Sequence, residues 1–158
     1  MKLKVAVVIS LAPFWAQGGV ITGNLLTNPG AETGSIAGWT VGGTSNPSVD
    51  SGVFDSGINP HTGNWDFFGH TGASGTLSQT FSLTGISGIT NALIDSGILL
   101  ANLSFWAQGL SQGTPSDDSS ITLTFLDGSL SMLSSVTTAE IDSHNLTWQN
   151  YMNSYACR

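Results

Sequence analysis

Residues 99–108 read LLANLSFWAQ, and the order of these ten side chains decides the fold class. Leu99, Ala101, Leu103, Phe105 and Ala107 fall on one side of an extended chain; Asn102, Ser104, Trp106 and Gln108 fall on the other. Successive side chains of a strand point to opposite faces, so an apolar residue at every second position predicts a half-buried β-strand. The same period governs TLSQTFSL at 76–83, with Leu77, Phe81 and Leu83 opposite Ser78, Thr80 and Ser82. It returns in SITLTFLD at 120–127 through Ile121, Leu123 and Phe125. Leu77, Leu103 and Leu123 are therefore expected on the dry faces of paired sheets.

Turn formers separate these runs. GTPSDDSS at 113–120 is loop chemistry, and Asp127-Gly128 is a two-residue hairpin signal. SGITNALIDSG at 87–97 predicts a turn or two of helix, starting near Ser87 and stopped by Gly97. NLTWQNYMNSYACR at 145–158 reads as a further strand, with Leu146, Trp148, Tyr151 and Tyr155 as packing residues. Short alternating strands at this spacing predict an all-β fold, an antiparallel β-sandwich in one domain. No closing strand follows the last run, and an open edge of that kind invites pairing with other chains.

Composition narrows the function. Forty per cent of the 158 residues are hydrophobic, too many for a disordered chain. The formal charge is −7, and Lys2, Lys4 and Arg158 are the three basic residues. Nothing is available to neutralise phosphates, which excludes nucleic acid and argues against anionic lipid heads. Cys157 is the single cysteine. An intrachain disulfide and a thiolate cluster are thereby excluded, though a terminal thiol could pair with another chain.

MKLKVAVVISLAPFWAQG, residues 1–18, has the layout of a secretory signal peptide. Lys2 and Lys4 form the positive region, Val5–Ala12 the apolar stretch and Ala16-Gln17-Gly18 the small-x-small cleavage site. Pro13 and Gln17 cut the apolar run short of the ~20 residues that a membrane anchor needs. The expectation is a secreted chain whose mature domain spans 19–158 and does not insert in a membrane. Asn102-Leu103-Ser104 and Asn145-Leu146-Thr147 are glycosylation sequons that fit this route.

NLLTNPGAETGSIAGW at 24–39, PHTGNWDFFG at 60–69 and the strands that follow resemble the galactose-binding-like jelly rolls. That group includes the carbohydrate-binding modules attached to glycosidases. The likeness spans roughly residues 24 to 148, through IDSGILLANLSFWAQGLSQGTPSDDSSITLTFLD at 94–127. It implies a secreted, non-catalytic carbohydrate-binding module, with an extracellular adhesion domain that binds protein as the other reading. Such domains continue into an Ile-Pro-x-Gly-Thr-Arg turn and final strands. SYACR stands where that turn would begin, so the resemblance implies a C-terminally incomplete copy. The resemblance also implies a structural calcium site. Its ligands would be the Gly30 carbonyl, the Glu32 carboxylate and a carbonyl near Asn64, with a terminal Asp missing. The chemistry is sound in itself, since calcium takes six to eight hard oxygens from carboxylates and turn carbonyls. Glycine at 30 would let the turn present its carbonyl. The plainer reading is that Glu32 hydrogen-bonds turn amides. Asp117-Asp118 reads as a solvated acidic loop.

A pyranose ring is recognised by an aromatic face and a few polar groups that fix its hydroxyls. His61, Asn64, Trp65, Asp66 and His70 cluster in one turn-rich stretch, and Trp106 joins them on the polar face of its strand. Trp65 and Trp106 read as readily as core, and Trp39 and Trp148 are expected to be core. A glycan on Asn102 would share the face of Trp106 and compete with a ligand there. Catalysis has little support. The ten acidic residues lie mainly in turns, and no Gly-x-Ser-x-Gly elbow presents a serine to His61, His70 or His144.

Overall fold

In the computed structural model, which describes residues 2–4, 8–10, 23–54, 58–109, 118–142 and 147–157, the alternating runs are strands. Along the chain these are β1 (Lys2–Lys4), β2 (Val8–Ser10), β3 (Thr40–Gly43), β4 (Ser48–Asp50), β5 (Asp66–Phe68) and β6 (Ser74–Ser78). Helix α1 (Asn91–Asp95) follows, then β7 (Leu100–Ala107), β8 (Asp118–Ser119) and β9 (Thr122–Leu126). The last three are β10 (Met132–Thr137), β11 (Ile141–Asp142) and β12 (Gln149–Ala156). A five-stranded sheet runs β11-β8-β1-β6-β3 and a three-stranded one β12-β7-β2; β9–β10 and β4–β5 form two-stranded sheets. The pairs are antiparallel except those that β1 makes with β6 and β8.

β7 shows why the alternation matters. Ala101, Leu103, Phe105 and Ala107 are buried, while Trp106 is 45% exposed. Along the full length of β7, β12 pairs in one register, setting Tyr151 opposite Phe105 and Asn150 opposite Trp106. Leu77, Leu103 and Leu123 are 4%, 1% and 8% exposed and belong to one core with Leu26, Trp39, Ile89 and Ile121. Their expected dry faces are present.

β8 and β9 are two halves of one arm, as are β10 and β11. The arm bends where the Ile121 amide donates to Thr138 Oγ1 (3.1 Å) and the Thr138 amide to the Ile121 carbonyl (2.9 Å). One half joins the five-stranded sheet and the other projects as the β9–β10 hairpin. Beneath it opens an apolar groove of about 910 Å³ lined by Leu77, Phe81, Leu99, Phe125 and Leu133 among others.

Several expectations need correction. The strand predicted over 76–83 stops at Ser78, where its ladder with β3 ends at Thr40. From there Gln79 substitutes its own amide for a strand partner. Its Nε2 donates to the Thr27 carbonyl (2.6 Å) and its Oε1 accepts from the Thr27 amide (3.0 Å). The helix begins at Thr90, not Ser87, because the Thr90 hydroxyl accepts from the Leu93 amide (3.1 Å) as an N-cap. Gly97, at φ 68°, ends it as expected. The Asp127-Gly128 hairpin closes through a longer turn: the Asp127 amide donates to the Ser131 carbonyl, and Asp127 Oδ1 accepts from Ser129 and Ser131.

Cys157 is buried in the core rather than free at a tail. Burial pushes its thiol up, against the opposing effect of the Ala101 backbone. β1 and β2 lie in the stretch read as a signal peptide, and a chain beginning at residue 19 would lack both strands. Asp117, His144, Leu146 and the Asn145 sequon lie outside the described residues. Among the described residues no helix is long and apolar enough to cross a membrane.

The two faces of the β7–β12 ribbon should respond oppositely to truncation. Leu103→Ala, at a site 1% exposed, is expected to cost about 2–5 kcal/mol in urea unfolding. Met152→Ala, at a site 73% exposed, should stay within about 0.5 kcal/mol.

Candidate functional site

The wet face of β7 carries a cluster of aromatic rings, and period-two geometry sets Trp106 on that face once Phe105 is buried. Trp106 turns outward, and the His61 ring lies on it almost flat, with centroids 4.1 Å apart and planes 20° from parallel. Trp148 meets His61 edge-on at 5.5 Å and 74°. Asn150 is the cross-strand neighbour of Trp106, and Ser104 is that of exposed Met152 on the same face. Farther along, Ser154 Oγ and Asn102 Oδ1 are hydrogen-bonded across the same ribbon.

His61 comes from the long connection between β4 and β5, which is anchored at both ends. At its start Asp50 folds back, and its carboxylate accepts from the Gly52, Val53 and Phe54 amides at 3.1–3.2 Å. Gly52, at φ 86°, then packs on Asn59. At its end the Trp148 indole Nε1–H donates to the Asn59 carbonyl (3.1 Å).

A second anchor joins residues 61–65 to the opening turn. The Asn64 amide donates to Glu32 Oε2 (3.0 Å). The Glu32 carboxylate lies against the Cα of Gly63, which is at φ 73°, so a side chain there would overlap it. Reciprocally, Trp65 covers Gly34, where a Cβ would lie 3.1 Å from the indole. Glu32 thus accepts a turn amide, a bond that the plainer sequence reading gave it. The opening turn is itself built around Asn28. Its Nδ2 donates to the Ser35 carbonyl (2.8 Å), its Oδ1 accepts from Thr33 (3.2 Å), and its carbonyl accepts from Trp39 Nε1 (3.1 Å). Left-handed backbone falls on Asn28, Ala31 and Gly34, and not on Gly30. The conformational freedom expected of Gly30 is not used, because fully buried Ala31 makes the sharp step instead.

Of the residues singled out for a sugar, the structure unites His61 and Trp106. Asn64 contributes its amide to the anchor, and Trp65 is half-buried on Gly34. Asp66 opens β5 opposite Asp50. His70 sits apart, against Phe54 and Phe68 at 5.1 Å each, with its Nδ1 accepting from the Thr71 amide (2.9 Å). Trp148, expected in the core, is half-buried and part of the cluster. Asn150 was unremarked in sequence; counting by twos from Trp148 puts both on one face. Of the three residues expected at a calcium, Glu32 supplies one carboxylate, and Gly30 and Asn64 lie at the same junction. Among the described residues no group of three or more His, Cys, Asp or Glu could hold a metal. The chain matches no family model, no curated protein and no solved structure.

Burial pushes the Asp50 carboxyl up, but the amides of Phe54, Ser51, Val53 and Gly52 outweigh it and hold it below the usual carboxylate range. A depressed folded value stabilises above the unfolded value and loses that contribution as pH falls through the folded one. Asp50→Ala should therefore cost about 1 kcal/mol near pH 6, and the gap from wild type should narrow as pH drops below about 4. Urea melts from pH 6 to pH 2.5 measure it; a pH-independent gap would remove the carboxylate from the anchor.

Proposed function

We propose that this chain is a non-catalytic carbohydrate-binding module of the galactose-binding-like jelly-roll kind, secreted, and that it takes sugar at the Trp106–His61–Trp148 cluster. The observation that carries this reading is an exposed tryptophan held flat against a second ring, with amide and hydroxyl side chains on the same face. Stacking would supply affinity for the apolar face of a pyranose, and Asn150 and Ser104 on the same face would offer polar groups to its hydroxyls. With a net charge of −7 and three basic residues in the chain, the preferred ligand is an uncharged glycan, not one bearing carboxylates or sulfates.

The test is a glycan array followed by calorimetry on the folded chain. Trp106→Ala is expected to weaken the best neutral glycan at least about tenfold, or ~1.4 kcal/mol, while His70→Ala leaves it unchanged. A folded chain that retains no glycan, or one indifferent to Trp106, would overturn the reading.

Calcium belongs to the same proposal, held by the Glu32 carboxylate with carbonyls of Gly30 and Asn64. If so, millimolar calcium should raise the melting temperature over that in EDTA, and Glu32→Gln should abolish the rise. An identical melt in both would leave the junction to its hydrogen bond alone.

One feature favours the second reading, a protein-binding adhesion domain. Leu130, Met132 and Leu133 are 71%, 67% and 60% exposed on the projecting hairpin, beside the apolar groove. Exposed apolar patches of this sort commonly mark protein contacts.

A further inference from the structure

We infer that Glu32 is a positioning residue for the aromatic cluster: it holds the 59–65 segment so that His61 lies on Trp106. The consequence for ligand affinity rests on the carbohydrate reading above, whereas the positional claim does not.

Among the described residues, four contacts of this segment bear on the inference. Two are the cluster itself, where the Asn59 carbonyl accepts from Trp148 and His61 covers Trp106. The other two come from the opening turn, as Trp65 on Gly34 and Glu32 on Gly63 and Asn64. Trp65 on Gly34 is an apolar contact, along which an indole can slide. Glu32 makes the directional one, a carboxylate accepting an amide hydrogen three residues beyond His61. Charge-assisted bonds of this kind are shorter and stronger than neutral ones.

The backbone that carries Glu32 is tied to the core on both sides. Ala31, next to it, is 0% exposed at φ 62°, and Thr33 on its other side donates its amide to Asn28 Oδ1. Asn28 in turn is tied to the buried Trp39. Core packing is thus passed through one short side chain to the turn that carries His61. Gly63 makes the arrangement steric as well as electrostatic, since only a residue without Cβ admits the carboxylate at that spot. Glu32 is exposed, so the contact adds little to global stability. Its effect belongs in the local geometry of His61.

That geometry has a direct readout. An imidazole 4.1 Å above an indole has its ring protons shifted upfield by the indole ring current. The measurement is the proton NMR shift of His61 in EDTA, with Trp106→Ala defining the unstacked value. In Glu32→Ala the His61 protons should move at least halfway to that value while the amide shifts of β7 and β9 hold. Glu32→Gln, which keeps an acceptor oxygen at the same reach, should restore the stack; its failure to do so would assign the hold to the charge. Should the alanine chain not fold, Glu32→Asp retains the charge, withdraws it by one methylene and gives the same readout. A folded Glu32→Ala chain with His61 at its wild-type shift overturns the inference.

Binding separates this from the sugar reading. If the neutral glycan binds, Glu32→Ala should weaken it about as much as His61→Ala, and the double variant should be no worse than either, as coupled residues require. If no glycan binds but the His61 shift still follows Glu32, the sugar reading fails and the positioning stands. If glycan binds and the shift ignores Glu32, the reverse holds.

Discussion

The alternation along β7 is the constraint from which the rest follows. A strand cannot bury Phe105 and Trp106 on the same face, because successive side chains leave opposite faces. Leu103 and Phe105 take the dry side and commit their neighbours to water. β12, paired in full register with β7, doubles the surface and sets Asn150 beside Trp106. An exposed aromatic amid polar side chains is thus a by-product of core formation on the opposite face. What is added is the covering ring, His61, brought from a distant connection.

That connection shows how irregular chain is held in place without regular hydrogen bonding. Asp50 gathers three successive amides, Asn59 accepts an indole N–H, and Glu32 accepts the amide of Asn64. Each is an isolated bond between a side chain and the backbone of a loop, and each leaves a different stretch fixed. Loops positioned by a rigid scaffold are the usual carriers of binding residues. Here the scaffold contributes Trp106 and the loop contributes His61.

The strands with strict period two were legible in sequence: β7 and β9 lie where the alternation puts them, and their leucines share one core. Of the residues singled out in sequence, His61 and Trp106 come into contact. Other features depended on partners that a linear reading does not display. β6 ends at Ser78 because β3 ends opposite it, although the apolar alternation runs on to Leu83. The helix start moved to Thr90 because its hydroxyl, and not that of Ser87, meets a free amide. Trp148 was read as core, yet it is half-buried on the wet face, with its indole N–H on the Asn59 carbonyl. The stacking of His61 on Trp106 joins residues far apart in sequence, and no local pattern encodes it. The sheets are β-rich and mostly antiparallel, as the alternation requires.

The interlocked turns carry an evolutionary consequence. Gly63 lies under the Glu32 carboxylate and Gly34 under the Trp65 indole, so each loop presents a bare backbone where the other presents a bulky group. A side chain at 63 would displace the Glu32 carboxylate and sit on left-handed backbone, and one at 34 would press on the Trp65 indole from the same kind of backbone. Descendants of this chain should therefore keep glycine at 34 and 63, and an alignment of them would show two bare positions held on otherwise unrelated loops.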